Sequence, residues 1–450
     1  MIRYAWFVAA LFLCIISEIH AQSDSPKNFK FSTVDLKLLD EVQELDRQFE
    51  KKGMIYRDQG LTSYLEEVAF RLMPDIPQSE RVEFKCRVLR DPMVNAFAMP
   101  NGSIYVNSGL LAVLENEAQL ASVLAHEITH VIHRHTYVEN RSLRKKSVVL
   151  HVFSAIGAAG GYFPAGSVFG ATMTLAGTVS QVLLMTSVFG YSQDLERDAD
   201  NGAVVLMTAG SYDAAAMPRT FQLLDEKLEI EPIETFYRTH PKLKERISTS
   251  TELAKTQALK ESRKVSEAEY LARVAGAVCY NVGADIGSRR ARTAVARASR
   301  LVGWKPDELA YQVLLADAYC SLGAKTATPS EQELTKHGQA DHRKRYLKLT
   351  EQEEQRELLA VPAGPADRKA NQEKSEKLYL DVIAHNSSLA DAYRGLGMLY
   401  EEQSRNSEAI RAYKQYLDLA PPEAIDRLRI ESRVKRLEKL QVLAGKEGGS

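Results

Sequence analysis

Residues 115–139 read ENEAQLASVLAHEITHVIHRHTYVE, and within this run His126-Glu127-Ile128-Thr129-His130 fits the pattern H-E-x-x-H. The whole run has helical periodicity, which predicts a helix to about Glu139. Residues four apart stack on one helical face, so both imidazoles can reach a single metal ion. Glu127, beside them, can then hold a water at that ion. Zinc is the natural ion for two imidazoles and an acid.

A catalytic zinc takes a third protein ligand and keeps a fourth position open. His133 follows His126 by seven residues and would lie about 10 Å along the axis, too far to share the ion. A metzincin arrangement needs histidine at position 136, where Thr136 stands. Glu196, in Glu196-Arg197-Asp198-Ala199-Asp200, is the better candidate. It shares a helical face with Asp200, four residues on, so Glu196 can ligate while Asp200 accepts the second N–H of a ligand histidine. Alone, either carboxylate would read as a solvated helix face.

Upstream, Val34 to Met73 carries apolar residues at helical spacing and accommodates two helices. Arg81 to Arg90 alternates Val82, Phe84, Cys86 and Val88 on one face, the period of a strand. Val94–Met99 and Ser103–Val106 predict two more strands joined by Pro100-Asn101-Gly102, a hairpin-turn signal.

The 450 residues allow two or three domains at roughly 100–200 residues each. With 45% hydrophobic and 26% charged residues the chain is neither disordered nor fibrous. Its 58 basic and 59 acidic side chains leave no positive excess to hold nucleic acid. Met1 to Tyr4 is a short basic start, Ala5 to Ile16 is apolar, and Ser17 to Ala21 ends in a small residue, so 1–21 reads as a secretory leader although Ile19 is bulky for its place. The apolar run of 12 residues is short for a membrane span. Cys86, Cys279 and Cys320 remain after the leader, too few for a disulfide framework, although Cys279 and Cys320 could pair. Residues 147–193 hold no Asp, Glu, Lys or Arg, and this 47-residue stretch suits internal packing or peripheral membrane contact better than spanning.

From about residue 270 the chain is Ala-rich and helical. Tyr393, Leu396, Gly397, Tyr400, Ala409, Tyr413 and Pro421 follow the tetratricopeptide pattern in a unit starting at Ala390. Related units start at Leu309 and, more faintly, at Ala275, with the polar stretch Lys325 to Lys369 as an insertion. Stacked repeats of this kind expose a concave face for peptides.

Four motifs in order resemble the M48 family of metallopeptidases. They are Asn95-Ala96-Phe97-Ala98-Met99-Pro100-Asn101-Gly102 with Ile104, Val106, Gly109, Leu110 and Leu111; His126 to His130 running into Arg134-His135; Tyr191-Ser192 before Glu196 and Asp200; and His240-Pro241 with Arg246-Ile247. Gln193 stands where a basic residue is as frequent. The resemblance implies a mainly α chain: a gluzincin-type α+β metalloprotease domain with a small sheet at 34–255, followed by a tetratricopeptide-repeat domain at 270–440. It implies one zinc ion on His126, His130 and Glu196, with Glu127 as general base and Asp200 behind the ligands.

The Asn95-Ala96-Phe97-Ala98 strand would offer an edge for an extended substrate. His240 would polarise the substrate carbonyl or fill the open position on the ion. Arg246 would stabilise the oxyanion or pair with a carboxylate, and Arg134 and His135 would make orienting contacts at the helix end. The implied role is proteolytic quality control of misfolded exported and outer-membrane proteins in the periplasm. Its partners would be unfolded clients, outer-membrane assembly machinery met through the repeats, and a membrane surface. The rival readings are a chaperone-like or adaptor repeat protein with a latent metal site, and a protease inserted in the membrane through 147–193.

Overall fold

A computed structural model describes residues 31–73, 82–139, 191–227, 243–257, 262–324 and 365–447. The leader, residues 147–190 of the uncharged run, His240 with Pro241, and residues 325–364 of the polar stretch fall outside them. The chain divides into two compact units, 1–270 and 271–450. The protein is mainly helical with one small sheet, and among the described residues no helix is long and apolar enough to cross a membrane.

The first described helices of unit 1–270 are α1 (Thr33–Lys51) and α2 (Gln59–Leu72). Ser32 and Asp35 form a capping box on α1, and the Asp58 carboxylate accepts from the Leu61 N–H to start α2. The buried stripes, Leu38, Val42, Leu45 and Phe49 on α1 and Leu61, Leu65, Val68 and Leu72 on α2, repeat at three to four residues and face the core.

Three strands follow, β1 (Lys85–Leu89), β2 (Ala96–Ala98) and β3 (Ser103–Asn107). The order is β1-β3-β2, with β3 parallel to β1 and antiparallel to β2. The turn between β2 and β3 needs Gly102, whose φ is +94° and where a Cβ would lie 2.5 Å from the Glu83 carbonyl oxygen. Asp46 on α1 pins this hairpin by accepting from Asn101 Nδ2 (2.7 Å), Ser103 Oγ (2.8 Å) and the Tyr105 hydroxyl (2.5 Å).

Helix α3 (Ser108–Val113) leads to α4 (Glu117–Ile132), capped by Asn116. From Glu117 to Val131 every residue but Ala118 is buried, so α4 is the central helix of the unit. It stops short of the expected Glu139. Arg134 takes φ 59°, so the helix ends at Ile132, His133 and Arg134 form a turn, and a separate short helical segment covers 135–139. The unit is completed by α5 (Gln193–Ala209), α6 (Ala216–Lys227) and α7 (Leu243–Thr256).

The first turn of α4 is clasped. Glu117 accepts from the Tyr212 hydroxyl (2.9 Å) and from Arg263 Nε (2.8 Å), while the Arg263 backbone N–H bonds the Ser211 carbonyl (2.7 Å). Tyr270 donates its hydroxyl to the Leu111 carbonyl (3.0 Å) at the end of this unit.

The second unit contains most of α8 (Glu267–Gly287), then α9 (Ala291–Trp304), α10 (Leu309–Gly323), α11 (Pro365–His385), α12 (Ala390–Glu402), α13 (Asn406–Leu419) and α14 (Arg427–Glu447). Neighbours in this series pack together, and α10 closes on α11 across the intervening 325–364 segment. Gly395 and Gly397 let the Tyr379 and Tyr413 rings approach, since a Cβ there would meet those rings at 2.4 and 2.5 Å. Cys86, Cys279 and Cys320 are free, so the Cys279–Cys320 pair that the sequence left open is not formed.

In this unit the Tyr379 hydroxyl donates to Asp317, and burial pushes the Asp317 carboxyl up to about 6. A carboxyl raised on folding holds its proton longer in the native state. Stability is therefore greatest below the unfolded value near 4 and falls as pH rises through about 6. Asp317→Asn, which keeps an acceptor for Tyr379, is expected to flatten this slope and gain about 1–3 kcal/mol at pH 7.5. Urea unfolding followed by Trp304 fluorescence at pH 4.5 and 7.5 reads the difference. Parallel pH profiles for both proteins would refute the assignment.

Candidate metal centre

Helices α4 and α5 pack closely because Gly202 presents no side chain to Thr129. A Cβ on Gly202 would stand 2.4 Å from Thr129 Cγ2. This contact sets the spacing between the two ligand-bearing faces. Gly202→Ala is expected to cost about 1–3 kcal/mol through overpacking and to weaken zinc binding about tenfold. Adding Thr129→Ala should restore affinity in a chelator-competition titration, and no rescue would separate the affinity from the helix spacing.

Across this contact His126, His130 and Glu196 converge, all buried. The two Nε2 atoms lie 3.0 Å apart, His126 Nε2 is 3.5 Å from Glu196 Oε2, and His130 Nε2 is 3.7 Å from Glu196 Oε1. Donors held 2.0–2.1 Å from a tetrahedral ion stand about 3.3 Å apart, so the three groups fit zinc in both chemistry and spacing.

Behind them, His126 Nδ1 is 3.0 Å from Asp200 Oδ1, the orienting contact expected of Asp200. Burial and Arg246 push the His126 imidazolium down, but Asp200 and Glu196 outweigh them and raise it to about 9, so ligation must displace a proton there. Arg246 grips Asp200 with two bonds, Nε to Oδ2 (2.9 Å) and Nη2 to Oδ1 (2.6 Å), and its Nη1 is 3.4 Å from Glu196 Oε2. Its guanidinium lies 4.3 Å over the Phe221 ring. Of the two roles the sequence left open for Arg246, the structure shows the carboxylate pairing. Burial alone would raise the Asp200 carboxyl, yet Arg246 and His126 hold it below the usual range.

On the other side, His130 stacks on Tyr191 with centroids 4.0 Å apart, and the Tyr191 hydroxyl lies 2.8 Å from Thr136 Oγ1. His130 Nδ1 is 2.9 Å from His135 Nδ1, and His135 Nε2 is 2.9 Å from Asp198 Oδ2. His135 thus makes an orienting contact, as its place after the motif suggested. The sequence reading passed over Asp198 and the Gly202–Thr129 contact. Asp198 lay inside the quoted Glu196 to Asp200 run, and its signal was a second carboxylate beside histidines from the helix end.

Glu127 is buried on α4 and accepts the Ala98 backbone N–H. Burial pushes its carboxyl up to about 7; the Glu196 charge adds to this, while His126, the Ala98 N–H and Arg246 oppose it. Ala98 belongs to the edge strand β2. Asn95 and Met99 bond to β3, so the alternation of an antiparallel pair turns the Ala96 and Ala98 backbone groups away from the sheet. Asn95, Ala96, Phe97 and Ala98 are all buried. His240 lies outside the described residues.

Residues 57–254 match the model of peptidase family M48. This stretch, which holds the three groups that fit zinc, is similar to that family. Over 243 residues the chain is 28% identical to the beta-barrel assembly-enhancing protease of Escherichia coli (strain K12), covering 53% of this chain and 47% of that protein. It is 28% identical over 231 residues to the protein of the same name from Yersinia pestis, covering 50% and 45%. Against the mitochondrial metalloendopeptidase OMA1 of Schizosaccharomyces pombe it is 29% identical over 188 residues, covering 41% and 51%. The chain spans about half the length of these curated relatives. Among its described residues the matched stretch contains all four motifs read in the sequence except His240-Pro241.

Proposed function

We propose that the chain is an exported zinc-dependent endopeptidase that removes misfolded or stalled periplasmic and outer-membrane proteins. The observation that carries this reading is the meeting of His126, His130 and Glu196 at tetrahedral spacing with Glu127 beside them on α4. A structural zinc site has no use for such an acid. The beta-barrel assembly-enhancing protease among the relatives supports the client class.

Zinc on His126, His130 and Glu196 would supply Lewis acidity toward water and the scissile carbonyl. Glu127 takes the proton from the attacking water and passes it to the leaving amine. Asp200 holds the His126 Nδ1–H, and Arg246 balances the charge of Asp200 and Glu196 in a site closed to solvent. An extended substrate pairs its backbone with Ala96 and with the Ala98 carbonyl once the cover over this buried edge moves aside, which favours unfolded clients and loose sequence selection. Helices α8 to α14 act as tetratricopeptide repeats that recruit clients or the assembly machinery.

The test is cleavage of an unfolded casein reporter by the zinc-loaded full chain, with the natively folded form of a globular protein as the contrast. Selective cleavage of the unfolded chain is expected. No cleavage, with zinc confirmed bound, would shift the reading to a repeat adaptor with a latent metal site.

A further inference from the structure

Beside the metal centre a second set of donors converges that the proposed hydrolysis leaves unused. Two residues apart on a continuous helix, His133 and His135 would point about 200° apart around the axis. The break at Arg134, with φ 59°, brings them to a common point instead. That point is Asp198 Oδ2, 2.5 Å from His133 Nδ1 and 2.9 Å from His135 Nε2. The three ligand atoms all lie within 4.8 Å of one another. His135 is buried while His133 is 36% and Asp198 50% exposed, so the cluster has one anchored donor and an open side toward solvent.

We propose that His133 Nδ1, His135 Nε2 and Asp198 form a second divalent-metal site, selective for zinc and other imidazole-seeking ions and weaker than the buried centre. Two imidazoles and a carboxylate are donors that suit zinc, cobalt, nickel or copper over calcium or magnesium.

The second site is the weaker one because two of its three donors are open to solvent, and the two sites are coupled because they share a proton arrangement. When His130 ligates through Nε2, its Nδ1 carries the proton and donates it to His135 Nδ1, which places the His135 proton on Nε2, facing Asp198. A second ion on His135 Nε2 displaces that proton, and the neutral ring is then protonated at Nδ1, opposite the His130 N–H. The bond supporting His130 is lost. Filling the outer site therefore loosens the inner one, by about tenfold on the scale of lost ligand-supporting bonds.

The test is titration of the metal-free full chain with zinc, and with cobalt as a spectroscopic probe, under chelator competition. Two ions per chain are expected for the natural sequence, and a single tightly held ion for His133→Ala and for Asp198→Asn. His126→Ala should lose the tight ion and keep the weak one. Release of the tight ion in excess zinc should be faster in the natural sequence than in His133→Ala. One ion per chain in the natural sequence, or a second ion retained in either His133→Ala or Asp198→Asn, would overturn the proposal. The tight ion reports that His133→Ala and Asp198→Asn have folded, and the circular dichroism of its helices reports the same for His126→Ala. Failure to cleave casein bears on the proposed peptidase reading and leaves these stoichiometries unaffected.

Discussion

Replacing Glu127 with glutamine is expected to lower cleavage of unfolded casein by about 10²–10⁴-fold while zinc content stays the same. Glutamine fills the same buried space beside His126 and removes only the capacity to accept a proton. The change should fall on kcat, because the substrate backbone is met by Ala96 and Ala98 rather than by this side chain. Zinc content measured on the same sample separates the two causes of inactivity. A variant that keeps its zinc and loses only a few-fold in kcat would remove Glu127 from the proton transfer.

Arg246→Leu carries the largest expected stability change. Its guanidinium is enclosed with Asp200 and Glu196, and removing one partner of a desolvated pair costs about 3–5 kcal/mol, since the two buried carboxylates are left with only the His126 imidazolium to balance them. The sign with pH is informative. In the natural sequence the depressed Asp200 carboxyl contributes stability above its unfolded value near 4, and that contribution disappears as pH falls. In the leucine variant only His126 opposes the effect of burial on these carboxyls, so acidification costs the variant less than it costs the natural sequence. The gap between the two proteins should narrow from pH 7 to pH 4.5. Hydrogen exchange of α5 amides in metal-free protein reads this unit alone, Trp304 being in the other. A loss below about 1 kcal/mol would mean that the pair contributes little beyond packing. Adding zinc should recover part of the loss, because its charge faces Glu196 but not Asp200.

What was legible in the sequence was whatever a single element encodes. The four-residue spacing puts His126 over His130 and Glu196 over Asp200 without reference to anything else in the chain, and the structure brings the two pairs together. The hairpin was equally local, fixed by Pro100-Asn101-Gly102 and the flanking alternation, although β1 runs from Lys85 to Leu89 rather than over Arg81 to Arg90. The end of α4 was not legible. Helices usually announce such a stop with glycine or asparagine in the left-handed conformation, and here arginine takes it. The His133–His135–Asp198 convergence depends on that stop and on the docking of α5, so no spacing rule contains it. The pairing of Arg246 with Asp200 spans 46 residues and three helices, beyond the reach of local periodicity.

The clasp on Glu117 also says where the metal-binding half can be cut free. The family match ends at residue 254, and a fragment trimmed to it would discard Arg263 and Tyr270. Glu117 would lose its guanidinium and the Leu111 carbonyl its phenol, both next to the first turn of the helix that carries His126. A fragment intended for separate crystallisation or inhibitor screening should therefore extend beyond Tyr270.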